Sequence, residues 1–381
     1  MCDPYSGREQ TKAKHFILEQ YLYALAFKVL SRWDELTYVD GFSGPWESAT
    51  EDFSDTSFMI AIRVLKDVQQ HYLDRGMPKV IKCFFVEKDP AAYEELNRTV
   101  MAHHDLTNGF LIYSAGKPFE DAVPEIMGIL GQSFVLTFID PTGWTGYPYE
   151  NIRPLLNHNP GEALINMMYD FANRFASDNR PEIEVTFDPI LGGPGWKSRL
   201  DPTLPIGKAV LKLFKDELRA VSGFRFVIET SIDRVLANRP HYFLTYGTRS
   251  WQGLKTFREV EYKALRGHET TRQNAQLDRR AEQTGQGTLF EIEALPNTID
   301  EIVASSMRLA KAELVDDLKL EGRPFPFAQV CAAVLEVFML RETNVKDICV
   351  ELANEGVIEA AWRTDNKRKP HDHHMIGLKN P

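Results

Sequence analysis

The chain is poor in the residues and runs that mark several functional classes. Its 381 residues include four cysteines, Cys2, Cys83, Cys331 and Cys349, scattered and without a CxxC pair. That argues against a disulfide scaffold or a paired-cysteine zinc site and fits a reducing compartment. No apolar run approaches the roughly 18–20 residues that a membrane-spanning helix needs. The opening segment MCDPYSGREQTK is polar and lacks the apolar stretch of a secretory signal. A soluble cytoplasmic protein without a membrane partner is therefore expected. No G-x-x-x-x-G-K-S/T occurs, which removes P-loop nucleotide hydrolysis, and no G-x-S-x-G elbow supports a hydrolase. A full G-x-G-x-x-G is also missing, which disfavours a nucleotide-binding oxidoreductase. Positive charge is not in excess: 44 Lys and Arg face 54 Asp and Glu, for a net charge of −10. A surface that embraces nucleic acid as a whole is excluded, and only a local basic patch remains open.

What is present suits a globular chain. Hydrophobic residues make up 43% and charged residues 26%, enough for a sizeable core, and the length suggests two domains at roughly 100–200 residues each. Apolar residues at helical spacing predict a first helix over 12–31. The run LTYVDGF then reads as a buried strand entering a loop, followed by a helix over about 54–75 with Ser54 or Asp55 as its cap. Strands are predicted over 80–87, 109–115, 133–141 and 161–168, alternating with helices over 90–103, 119–130 and 147–157. The segment from Tyr169 to about Pro205 is less regular, and its Gly/Pro-dense stretch DPILGGPGWKSRLDP (188–202) reads as an inserted loop or lid. A helix over 206–221 leads to strands 224–232 and 241–248, which have no helix between them.

This alternation implies an α/β domain over 1–265, with a doubly wound, mostly parallel, Rossmann-like sheet. The last two strands are expected as an antiparallel pair at one sheet edge, a feature of the class I methyltransferase variant. Residues 266–296 are polar and read as a linker or exposed helix. The region 297–381 reads as a helix over 299–320, helices over 325–340 and 344–355, and two strands, VIEAAWR and HHMIGLK, around the basic tip TDNKRKP. That is the outline of a winged helix.

Three acids end three predicted strands. Asp40 opens the turn Asp40-Gly41-Phe42-Ser43-Gly44-Pro45, where little side-chain bulk lets backbone N–H groups approach a ligand at the carboxyl ends of the strands. Taken alone, this segment is equally an ordinary turn. For S-adenosylmethionine (SAM), such a loop cradles the methionine portion and an acid meets its ammonium group. Glu87 ends the next strand, where a carboxylate suits the two hydroxyls of a ribose. Asp140, Pro141 and Trp144 in FIDPTGW place a carboxylate, a carbonyl held by proline geometry and an aromatic face beside such a ligand. The segment resembles the D-P-P-Y motif of amino-methyltransferases, in which a polar side chain and a carbonyl accept from the target amine while a ring stacks on the base.

The chain further resembles the three-Cys-motif partner proteins, a bacterial family regarded as methyltransferase-like. The resemblance runs through KHFILEQYL (14–22), YVDGFSGP (38–45), FFVEKD (84–89), FIDPTG (138–143) and YFLTYGTRSWQGLKTF (242–257). It implies SAM as cofactor, with Asp40 to Pro45 as its loop, Glu87 on the ribose and Asp140-Pro141 at the reaction site. It also implies a genomically linked partner protein. Lys14 and His15 lie in the matching segment without an assigned role. Trp46 stands where the family tends to have a second glycine, so its ring either points away from the cofactor or blocks it. Two functions are therefore weighed. One is a SAM-dependent methyltransferase acting on nucleic acid or a partner-presented substrate. The other is a non-catalytic protein that keeps the fold and works in a defence or processing complex.

In the C-terminal region Lys367, Arg368 and Lys369 are candidates for contacting nucleic acid or a partner. The helix NVKDICVELANEG is acidic for a groove reader, so a protein-contacting winged helix is an equal reading. His371, His373 and His374 are not expected to hold a metal, because convergent further ligands are not visible. Arg249, Lys255 and Arg258 are expected on a solvated face, with a substrate path as the alternative.

Overall fold

The computed structural model describes residues 9–44, 48, 50, 52–168, 180–233, 240–284 and 298–379. The chain divides into two compact units, Met1–Arg249 and Ser250–Pro381. The division falls earlier than the boundary expected at residue 265.

The first unit is a Rossmann-like α/β fold. Its order is α1 (Glu9–Leu30), β1 (Glu35–Asp40), α2 (Ser57–Leu73), β2 (Val80–Val86), α3 (Pro90–Met101), β3 (Phe110–Ala115), α4 (Phe119–Leu130) and β4 (Phe134–Ile139). There follow α5 (Tyr149–Leu156), β5 (Gly161–Met167), α6 (Pro181–Phe187), α7 (Ile206–Ser222), β6 (Phe226–Asp233) and β7 (Pro240–Thr248). The seven strands lie in the order β3-β2-β1-β4-β5-β7-β6. The first five are parallel to their neighbours, whereas β7 is antiparallel to both β5 and β6. The antiparallel pair therefore closes one edge, as expected.

Side-chain alternation explains why the strands read as continuous apolar runs: both faces of the sheet are covered. Tyr38 and Phe85 point to one side, where Phe85 meets Phe58 of α2. Val39, Phe84 and Val86 point to the other, into a core shared with Phe119 of α4, Ile152 of α5 and Phe214 of α7. Boundaries shift where a capping group decides them. Helix α2 is capped by Thr56, whose hydroxyl accepts from the Met59 N–H, and not by Ser54 or Asp55. The carboxylate of Asp55 instead accepts from Ser48 and Thr50. In the less regular segment 169–205, α6 precedes the Gly/Pro-dense stretch, which is a loop with a 3-10 turn at Trp196–Arg199; residues 169–179 lie outside the described set.

Arg249 joins the end of β7 to three other chain segments. Its guanidinium donates to the carbonyls of Leu156 (3.0 Å), His158 (3.2 Å), Gly161 (3.3 Å) and Ser222, and lies 4.8 Å from the Phe224 ring. It is a fold clamp, neither a solvated cation nor part of a substrate path.

The second unit contains α8 (Trp251–Thr284), α9 (Thr298–Glu321), β8 (Phe325–Pro326), α10 (Phe327–Val337), α11 (Glu342–Asn354), a 3-10 turn at Ala361–Arg363 and β9 (Met375–Ile376). Residues 266–284 of the expected linker belong to α8, and 285–296 lie outside the described residues. The predicted strand VIEAAWR is corrected. Only Ile358 makes a bridge, to Leu378, while Ala361–Arg363 turn as 3-10 helix around the buried Trp362. The two-residue strand β9 pairs instead with β8, which precedes α10. Lys255 and Arg258 are also not on a solvated face. Lys255 pairs with Glu342 at 3.0 Å, and buried Arg258 donates to the Leu335 carbonyl and to Glu261.

Arg249→Ala leaves several buried carbonyls without their charged donor. Such a loss should cost about 2–3 kcal/mol of unfolding free energy in urea denaturation. A change within about 0.5 kcal/mol would mean that Arg249 is an ordinary surface cation.

Candidate functional site

In an open parallel sheet, ligands settle at the carboxyl ends of the strands, where the strand order reverses direction. Here that point lies between β1 and β4. Asp40 is the last residue of β1 and Asp140 follows β4 directly, so sequence-distant acids flank the switch point.

The loop after β1 is tied to both neighbours. The Gly41 N–H donates to the Phe138 carbonyl of β4 at 3.0 Å, and the Ser43 N–H donates to the Val86 carbonyl of β2 at 2.8 Å. The Ser43 hydroxyl returns to the Asp40 carbonyl at 3.0 Å. The loop thus crosses the strand ends and lies beside Glu87. Gly41 is required by space: a Cβ there would stand 2.9 Å from the Phe119 ring. Phe42 packs edge-on to Tyr147 and tilted against Phe119. Pro45 and Trp46 lie outside the described residues.

Asp40 holds this loop. Fully buried, its carboxylate accepts from the Phe42 N–H at 3.1 Å, the Ser57 hydroxyl at 2.8 Å and the Tyr38 hydroxyl at 3.3 Å. Burial pushes its pKa up to about 6, against the opposing pull of the Ser57 and Phe42 hydrogen bonds. The carboxylate of Asp40 is engaged inside the protein, and the N–H groups of Gly41, Phe42 and Ser43 are all bonded to protein acceptors. The loop therefore shapes the edge more than it cradles a ligand by those donors.

Glu87 is buried at the end of β2, and one of its oxygens accepts from the Asp89 N–H at 2.7 Å. Asp140 is held on both oxygens: Asn166 of β5 donates to Oδ1 at 2.6 Å, and Lys14 of α1 pairs with Oδ2. The Lys14 ammonium also lies 5.6 Å from the Tyr242 ring. Sequence reasoning left Lys14 without a role and missed Asn166. The segment KHFILEQYL was the only trace of the first, and an Asn inside an apolar strand was the signal for the second. Pro141 is buried after Asp140. Trp144 donates from its indole N–H to Thr186 at 2.8 Å and stacks on Phe187 at 5.1 Å, so one face of the ring is already covered. Three buried polar atoms near these segments have no hydrogen-bond partner among the described residues: Glu120 Oε2, Tyr147 Oη and Asn166 Oδ1.

In the second unit Lys367 and Arg368 are exposed, whereas Lys369 pairs with Asp347 of α11. Asp365, His373 and His374 converge, each offering a ligand atom within 4.8 Å of the others. The His374 ring nevertheless has its Nδ1 accepting from the His371 N–H at 2.7 Å, so the proton sits on Nε2, 3.0 Å from Asp365. That tautomer offers no lone pair toward Asp365 and His373.

No family model and no curated protein matches the chain. Among solved structures, a crystal structure of a Legionella pneumophila protein of the DUF519 family aligns over 62% of this chain and 85% of its own. The identity is 11% and the TM-score 0.35. That likeness is too slight to carry anything across.

The Asp40 carboxyl binds its proton more tightly in the folded protein than in the unfolded chain, where its pKa is about 4. Its contribution therefore favours the fold below about pH 4 and is lost as pH rises toward about 6. Asp40→Asn keeps an acceptor for Phe42 while removing the titration. Relative to wild type, the variant should gain on the order of 2–3 kcal/mol between pH 4 and pH 7 in urea denaturation. Parallel pH profiles for the two proteins would show that Asp40 is not desolvated in the fold.

Proposed function

We propose that the first unit is a class I SAM-dependent methyltransferase domain and that the second is a winged-helix module handling a nucleic-acid or partner-presented substrate. The observation that supports the first part most is convergence at the switch point. Glu87, Asp140 and the Asp40-anchored loop, read from three separate sequence segments, meet at the carboxyl ends of β1, β2 and β4, in a sheet whose far side carries an antiparallel β6–β7 pair like that of the methyltransferase variant.

The residues fit the cofactor through acceptors. SAM carries an adenine amino group, two ribose hydroxyls and an ammonium, all donors. Glu87, buried at the end of β2, would take the ribose, and the oxygens of Glu120 and Asn166 that have no partner among the described residues would suit the other donors. SAM supplies the methyl group; the chain supplies alignment. Asp140 and the Pro141 carbonyl orient the incoming nucleophile. Each carboxylate oxygen of Asp140 has a lone pair left after its bond to Asn166 or Lys14. Asn166 and Lys14 hold Asp140 on both oxygens, so its role is orientation.

That same pairing favours a second reading, in which the domain binds SAM or a related nucleoside without transferring the methyl group. For the winged helix, support comes from the order α9, β8, α10, α11, the Ile358–Leu378 bridge and β9. Lys367 and Arg368 lie exposed on the segment before β9.

Calorimetric titration of the full chain with SAM tests the reading. Binding is expected, Glu87→Ala should weaken it at least tenfold, and Asp40→Asn should change it less than about threefold, because Asp40 supports the loop without meeting the ligand. No heat at millimolar SAM with folded protein rules out the cofactor. A loss with Asp40→Asn as large as that with Glu87→Ala would restore Asp40 as a direct contact.

A further inference from the structure

The second unit contains a cavity of about 380 Å³ between α9 and α10. Its floor is apolar, built by Leu314 and Leu318 of α9 and by Val330 and Val334 of α10, all buried. Its rim leaves large apolar side chains in water: Leu320 is 86% exposed and Val337 63%. Along the α9 side runs a row of carboxylates, Glu313, Asp317 and Glu321, spaced four residues apart and therefore one above another on one face.

The row is unfavourable for the helix that carries it, since like charges four residues apart repel. Glu321 is relieved by Arg323 at 3.6 Å. Glu313 and Asp317 have no ion-pair partner among the described residues, although the neighbouring Asp316 is paired with Lys319. An apolar trough with an uncompensated acidic wall is complementary to one kind of occupant. A helix docks by placing apolar residues at i, i+4 and i+7 into such a trough, and basic residues flanking that stripe would meet Glu313 and Asp317. From Ala310 to Glu321 the wall covers about three helical turns, which sets the length of the occupant. The chain's own undescribed segment 285–297 contains two glutamates and no basic residue, so its charge is of the wrong sign.

We propose that this groove docks a basic amphipathic helix of a partner protein, with apolar residues in the trough and lysines or arginines against Glu313 and Asp317. The proposal does not depend on SAM binding.

Random 16-residue peptides displayed on phage and selected on the full chain test it, with selection on the variant Ala333→Arg/Val337→Arg in parallel. Both substituted residues are exposed at the groove, and unchanged thermal unfolding certifies the variant. Selected peptides should share apolar residues at i, i+4 and i+7 with flanking Lys or Arg, and should bind the variant at least tenfold more weakly. A synthetic hit should also lose at least tenfold in affinity on Glu313→Lys/Asp317→Lys, and that loss should shrink in high salt. Peptides that bind wild type and the groove variant alike overturn the proposal, as do hits without basic residues or a selection that yields no groove-dependent hit. Dimerisation of the wild type in sedimentation, abolished by Ala333→Arg/Val337→Arg, would assign the groove to a second copy of this chain and overturn it as well.

Discussion

A buried carboxylate holds the strand edge together. Asp40 sits where β1 ends at the switch point, fully removed from water, and three donors converge on it from its own strand, its loop and the start of α2. Removing a carboxylate from water is costly, and such a group persists only when hydrogen bonds compensate it. The compensation here draws Ser57, and with it the first turn of α2, onto the end of β1. The start of the loop between them, residues 41–43, runs across the ends of β2 and β4. Glu87 and Asp140 are neighbours of that loop because Asp40 fixes where it runs.

Much of the fold was legible in the sequence because parallel strands covered on both faces must be apolar throughout, and their helices must not be. Helix α4 was read to the residue, and the antiparallel edge followed from the missing crossover helix between β6 and β7. What was not legible depends on contacts between distant segments. Nothing local distinguishes Thr56 from Ser54 as a cap, or shows that Arg249 will find four carbonyls. The strand expected at VIEAAWR failed because Trp362 is buried by turning the chain, which an alternating pattern of apolar residues cannot reveal. Among the site residues, the three acids were recognised as strand-end groups, but their partners were not. Lys14 lies 126 positions from Asp140 and Asn166 lies 26 from it, so only the folded sheet brings them together.

The second unit distributes its charge unevenly. In the second unit the helix that would read a groove in nucleic acid is acidic, and its carboxylates are largely engaged: Glu351 and Glu355 with Lys311, and Glu342 with Lys255 and Lys346. Lys369 is neutralised by Asp347. Lys367 and Arg368 are the basic-tip residues without an ion-pair partner among those described, and two cations make a weak electrostatic footprint for nucleic acid. Two carboxylates of α9, Glu313 and Asp317, have no ion-pair partner among the described residues and lie beside the exposed apolar rim. On charge alone, this unit is better suited to a basic protein surface than to a phosphate backbone.

The same reasoning applies to the chemistry of the strand edge. A general base needs a free, ionised group whose proton affinity matches its task. Asp140 has its charge countered by Lys14, and Asp40 is enclosed by donors and cut off from solvent. Neither carboxylate is free of protein partners. Both are arranged to stay in place: Asp140 is fixed at two oxygens by α1 and β5, and Asp40 at both by β1, the loop and α2. An edge built in this way contributes fixed position. The two acids therefore tie the ends of β1 and β4 to α2, α1 and β5 through side-chain partners that lie far apart in the sequence.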